Sequence, residues 1–179
     1  NGIDPLEIID NQGADAVRYA LVTGNAPGND QRFSLEKIEA GRNFINKIWN
    51  AFRFTIMNFD DEMNFASVKP EEWTIEDRWI LSRLQMTISD VNRNLEHYDL
   101  GVALARIYSF LWENFCDWYI ELAKARLSAQ DSRSRLVAQS VLNTVLIEAM
   151  KLLHPFMPFV TEEIYGHLIH DDENLIIAA

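Results

Sequence analysis

The sequence predicts an all-α fold: an up-and-down antiparallel helix bundle preceded by a short helical lead-in. Three observations carry this. Apolar residues recur at helical spacing through four long segments, the corners between them are short, and strand-like alternation is almost absent. No stretch repeats at a fixed period, which argues against a solenoid.

The lead-in opens at Asp4-Pro5-Leu6-Glu7, an N-cap followed by proline at the first helical position and a carboxylate three residues after the cap. A short helix to about Gln12 follows, and Gly13 ends it. A second, from Ala14 to about Thr23, carries Ala14, Val17 and Leu21 on one side. Thr23 to Asp30 is dense in turn formers and reads as a loop. The first long helix spans 34–58, with Ile38, Ile45, Ile48, Trp49, Phe52 and Ile56 at helical spacing. A polar connection through Pro70 leads to Thr74-Ile75-Glu76-Asp77, a capping-box-like start for the second long helix. After the Tyr98 to Gly101 corner, a third long helix runs from about Leu100 to Leu127 and is rich in aromatics. Gln130-Asp131-Ser132 restarts the chain, and the fourth helix runs to His154, where Pro155 stops it. A shorter fifth helix spans Pro158 to about Leu168, and Asn174 to Ala178 is an apolar tail able to pair as a strand.

Composition narrows the classes further. At 48% apolar and 24% charged, with seven glycines and five prolines, the chain is neither disordered nor collagen-like. The lone Cys116 excludes an internal disulfide, so a reducing, cytoplasmic setting is expected. No uninterrupted apolar run approaches the ~18 residues of a membrane span. Asn1-Gly2-Ile3-Asp4-Pro5 reads like a cut inside a longer protein. A net charge of −11 argues against a generic nucleic-acid coat, because non-specific affinity grows with the phosphates neutralised. It leaves room for a local patch.

No catalytic constellation is present. Of four histidines only His167 and His170 are close, which reads as a solvated helix end rather than a metal site. The Gly24 to Gly28 loop lacks the Lys-Ser/Thr of a phosphate loop. Cys116 lies among aromatics and reads as buried filler. The aromatic stretch from Glu113 to Glu121, Trp118 included, reads as bundle core. Neither a catalytic residue nor a metal or cofactor site is expected.

The first long helix is unusual. At about 100° per residue and with Arg42 at zero, Arg53 falls near 20°, Asn46 near 40°, Asn50 near 80°, Asn43 near 100° and Lys47 near 140°. Ile38, Gly41, Ile45, Ile48, Trp49 and Phe52 lie opposite, between about 240° and 340°. Phe54 is the exception, near 120° on the polar side. From Lys37 to Phe54, Lys37, Arg42, Lys47 and Arg53 against Glu39 make +3 in a chain of −11. Lys124, Arg126, Arg133 and Arg135 form the rival cationic segment. A cationic helix face with amides and a stray aromatic suits single-stranded bases: the ring stacks, Asn pairs an adenine edge, and Arg takes a phosphate or base edge. A solvated face, with Phe54 packed on a loop, is the alternative.

Several stretches resemble one family. Asn1 to Pro5 and Gly13-Ala14-Asp15-Ala16-Val17-Arg18-Tyr19 resemble the segment after the KMSKS signature of class I aminoacyl-tRNA synthetases. His154-Pro155-Phe156-Met157-Pro158-Phe159-Val160-Thr161-Glu162-Glu163-Ile164-Tyr165 is similar to a corner shared by the valine, isoleucine and leucine enzymes. Thr23 to Phe33 and Phe115-Cys116-Asp117-Trp118-Tyr119-Ile120-Glu121-Leu122-Ala123-Lys124 resemble the valyl-tRNA synthetases in particular. The resemblance implies a C-terminal fragment of such an enzyme: a stem-contact linker over 1–33 and an anticodon-binding bundle over 34–179. It implies tRNA(Val) and the rest of the synthetase chain (catalytic, editing and coiled-coil parts) as partners, with no membrane. ATP and Mg²⁺ would serve the parent enzyme, and none of the HIGH or KMSKS residues is here. By motif match, Asn50, Arg53 and Phe54 are the anticodon-contact candidates, with Arg42, Asn46 and Lys47 as weaker backbone contacts. Valine codons, GUN, demand adenine in the middle and cytosine at the third anticodon position. An isoleucine or leucine enzyme, or a helical protein–protein adaptor, are the alternatives.

Overall fold

A computed structural model of the chain describes residues 4–24, 34–170 and 174–175. Most of the Thr23 to Phe33 motif and most of the apolar tail lie outside these residues. Two short helices, α1 (Pro5–Gln12) and α2 (Ala14–Val22), lead into the long α3 (Leu35–Met57). Two 3₁₀ turns connect it to α4 (Ile75–Glu96). After the corner come α5 (Leu100–Ser109), a π-helical segment (Phe110–Tyr119) and α6 (Ile120–Leu127), continuous along one rod. Helices α7 (Ser132–Leu153) and α8 (Pro158–Tyr165) complete the order.

Side chains set these boundaries. Asp4 accepts from the Leu6 N–H to open α1, and Gly13, at φ 88°, turns the chain from α1 into α2 where a Cβ would be strained. Ser34 accepts from the Lys37 N–H, and Thr74 and Asp77 form the expected reciprocal capping box. Asp131 accepts from the Arg133 and Ser134 N–H groups to open α7.

The long rods enclose one core. Phe44, Ile48 and Phe52 of α3 meet Ile80 and Leu84 of α4, Ile107, Phe110, Phe115 and Tyr119 of the third rod, and Leu142, Leu146 and Leu153 of α7. Each such burial contributes roughly 1.5–3 kcal/mol. Phe44, absent from the apolar arc read from the sequence, is fully buried between Tyr19 and Tyr108. The true buried arc of α3 is thus shifted toward Phe44, Ala51 and Thr55, because both α2 and the π-helical segment pack against it.

Two expectations need correction. Helix α7 has the length and mean hydropathy to cross a bilayer, which scanning for uninterrupted apolar runs overlooks. Its apolar side chains are spent on the bundle core instead. Trp118, expected in the core, is 62% exposed. In the π-helical segment hydrogen bonds reach one residue further and the turn widens. Leu111, Phe115 and Tyr119 therefore hold the inner line at four-residue steps, and Trp118 swings outward.

The lead-in is bolted to the bundle. Helix α2 crosses α3 at Gly41, where an added Cβ would stand 2.9 Å from Tyr19 Cδ1 and 3.1 Å from the Ala16 carbonyl oxygen. Buried Asp15 accepts from the Phe159 and Val160 N–H groups, capping α8. Arg18 donates to the Phe156 and Pro155 carbonyls. The Gly13 to Tyr19 motif and the His154 to Tyr165 motif are thus two halves of one joint.

Candidate nucleic-acid interface

The side of α3 turned from the core carries Arg42, Asn43, Asn46, Asn50 and Arg53, all exposed. Among the described residues, the side chains of Asn43, Asn46, Asn50 and Arg53 engage no hydrogen-bond or ionic partner. Steps of three and four residues put them in one line along the helix. Arg42 Nη1 donates to Gln12 Oε1 at 3.3 Å and remains exposed. The strip therefore presents three amides, each donor and acceptor, and two guanidinium groups to solvent.

Along one edge of the strip lies the third rod. Lys47 Nζ sits 2.6 Å from Asp117 Oδ1 and 3.8 Å over the Trp112 ring. Seven residues further along each helix, Lys124 Nζ stands 5.8 Å from the Phe54 ring centroid. The two rods therefore run parallel here, with the two contacts about 10 Å apart along the axis at 1.5 Å rise per residue. Phe54 is neither free in water nor sealed. It is partly buried, packed on the edge of the core beside Asn50 and Arg53. The six residues singled out from the sequence thus share one side of α3. Lys47 differs in being committed to Asp117 and Trp112.

The sequence reading missed Asp117, Lys124 and Trp112 as parts of this surface. The signal available was the equal spacing of Lys47 to Phe54 and Asp117 to Lys124, legible only once two helices are known to be neighbours.

Three of the four cations of the rival segment are tied to distant parts of the bundle. Arg126 pairs with Asp77, Arg135 with Asp60 and Lys124 with Glu121. Arg133 pairs with Glu72, and its guanidinium holds the Glu72 carboxyl down at about 2. Arg126, Arg133 and Arg135 thereby fasten the connection 60–72 and α4 to the rest of the bundle, whereas Lys124 pairs along its own helix and stays at the surface beside Phe54.

Asp77 anchors the rod that bears Asp117 and Lys124. It is fully buried and takes Arg126 Nη1 at 2.8 Å on both oxygens, Tyr119 Oη at 2.6 Å and the Thr74 N–H at 3.0 Å. Burial, with Asp77 beside it, pushes the Tyr119 phenol far up, so it stays a donor. Burial also pushes the Cys116 thiol up to about 12. His167 pairs with Glu163 at 3.4 Å and His170 stacks on Tyr165. Among the described residues no group of three or more His, Cys, Asp and Glu converges as a metal site would need.

Comparisons with known proteins bear on the fold and the family. The family described as "Anticodon-binding domain of tRNA ligase" matches residues 77–179. The chain is 53% identical over 178 residues to the valine–tRNA ligase of Clostridium perfringens, covering 99% of this chain and 20% of that protein. It is 52% identical over 180 residues to that of Bacillus thuringiensis, covering all of this chain and again 20% of the relative. The chain therefore spans about a fifth of the length of the curated relatives it matches. In fold it resembles the methionyl-tRNA synthetase of Mycobacterium tuberculosis bound to methionyl-adenylate, with TM-score 0.71, 20% identity, and 92% of this chain and 34% of that one covered. It also resembles an Agrobacterium radiobacter LeuRS in ternary complex with tRNA and LeuAMS, with TM-score 0.68, 22% identity, and coverage of 92% and 19%. Helical bundle, matched family and relatives together place this chain in the anticodon-binding domain family of tRNA ligases.

Proposed function

We propose that the chain is the anticodon-recognition module of a cytoplasmic valine–tRNA ligase, docking tRNA(Val) so that another part of the ligase can charge it with valine. ATP and Mg²⁺ would act in that other part, outside these 179 residues. The observation that carries the reading is the line of unpartnered side chains Asn43, Asn46, Asn50 and Arg53 beside the partly open Phe54 ring. Valine–tRNA ligase relatives at about 50% identity along the whole chain support the choice of amino acid.

The roles follow from chemistry. Phe54 offers a flat apolar face on which an unpaired base stacks. Asn50 carries the donor and acceptor pair that matches an adenine edge, and Arg53 reaches a base edge or a phosphate. Arg42 and Asn46, one to two turns earlier, take the adjoining backbone. The segment 1–33 acts as the stem-contact linker, held in register through the Gly41 crossing and the Asp15 and Arg18 contacts. With a net charge of −11, the isolated chain binds RNA weakly.

The test is fluorescence titration of the chain with a synthetic anticodon hairpin of tRNA(Val) at low salt. Hairpins carrying isoleucine and leucine anticodons and a scrambled loop serve as competitors. The valine hairpin should win by tenfold or more. Equal competition by every loop would refute the reading.

A further inference from the structure

Resting on the proposed anticodon role, we infer that Asp117 is a specificity residue: its carboxylate accepts the exocyclic amine of an anticodon base, and Lys47 positions it for that task. A carboxylate on a surface built to meet a polyanion works against affinity, since it repels phosphates. It is useful there only if it rejects something. Asp117 belongs to the same side of the molecule as the α3 strip. Lys47, which grips it, stands at i−3 from Asn50 and i−7 from Phe54, on one face of that helix.

The grip is one-sided. Lys47 Nζ is 2.6 Å from Oδ1, and its other contact is the Trp112 ring, 3.8 Å below. The Lys47 side chain is 24% exposed and that of Asp117 is 50% exposed, so the lysine lies beneath and the acid above. Oδ2 has no partner among the described residues. An ionised carboxylate only accepts hydrogen bonds. It therefore pairs with edges that present an amine, N6 of adenine, N4 of cytosine or N2 of guanine, and disfavours the carbonyl edges, O4 of uracil and O6 of guanine. The middle and third bases of valine anticodons are adenine and cytosine, both amine-bearing.

The experiment couples the residue to the base atom. Three hairpins are titrated: the unmodified valine loop, one with purine riboside at the middle position (no N6 amine), and one with a pyrimidin-2-one at the third (no N4 amine). Each is measured on the unvaried chain, on Asp117→Ala and on Lys47→Met, with melting temperatures recorded. Loss of one amine should weaken the unvaried chain about tenfold and Asp117→Ala less than twofold, and the position affected identifies the base. Lys47→Met should fall between, its carboxylate present but unfixed. A purely structural role lowers affinity for all three hairpins alike and leaves the amine effects intact. That outcome overturns the inference alone. Failure of the unvaried chain to bind the unmodified hairpin overturns the anticodon reading as well.

Discussion

Replacing Asp77 with alanine removes an acceptor on which α4 and the third rod converge. The side chain is wholly buried and serves Arg126, Tyr119 and the Thr74 N–H at once. Truncation takes the counter-charge from the Arg126 guanidinium, 17% exposed, which keeps only neutral acceptors at Ser134 and Thr74, and removes the acceptor of the Tyr119 hydroxyl. Hydrogen bonds to a charged group are worth about 1.5–3 kcal/mol each and do not add, and breaking one side of a buried ion pair costs about 3–5 kcal/mol. The larger, whole-pair figure governs here because the partner left behind is charged. Urea unfolding followed by circular dichroism should show the midpoint fall with the slope unchanged, by about 3–5 kcal/mol in free energy. At about 2–4 °C per kcal/mol for a chain of this size, the melting temperature drops by about 6–20 °C. A loss below about 1 kcal/mol would show that Arg126 and Tyr119 find other partners, and that the rod carrying Asp117 and Lys124 is held by packing alone.

Gly41→Ala sets a helix-propensity gain of up to about 1 kcal/mol against overpacking of about 1–3 kcal/mol. The new Cβ meets the Ala16 carbonyl and Tyr19 Cβ at 3.1 Å, backbone or near-backbone atoms with no rotamer to escape into, so a net loss of stability is expected in thermal melts. Trp118→Ala should change stability by no more than about 0.5 kcal/mol, since the ring is 62% exposed. A loss of several kcal/mol would return it to the core. Cys116, pushed up to about 12, carries roughly a thousandfold less thiolate at pH 8 than an ordinary thiol at 9.0. Alkylation by iodoacetamide should therefore be slow in the folded chain and fast in denaturant.

Much of this was legible in the sequence, because bundles are written in a period that the eye can follow. Caps at Asp4 and Thr74 fixed two helix starts within a residue. The polar line from Arg42 to Arg53 came from the same arithmetic, since an exposed helix face is a local property. Trp118 was misplaced because ten residues of π-helix break the 100° step, and nothing in their composition announces it. The membrane-length character of α7 was hidden by polar residues such as Gln139 and Asn143, which are buried and bonded to the Asn58 and Ile169 carbonyls. The cationic stretch from Lys124 to Arg135 looked equal to α3 until its partners were seen. Those partners, Asp77, Glu72 and Asp60, lie 49 to 75 residues away. Such long-range pairing is what one-dimensional patterning cannot supply.

The central claim is that a base lies on Phe54. The most direct measurement is the affinity of Phe54→Ala for the valine anticodon hairpin, taken beside its melting temperature. Stacking on an aromatic is worth about 1–3 kcal/mol per base, so the dissociation constant should rise by about 5- to 150-fold while the chain stays folded at the titration temperature. Hairpin affinity equal to that of the unvaried chain would contradict the account, leaving Phe54 as a side chain that only seals the edge of the core.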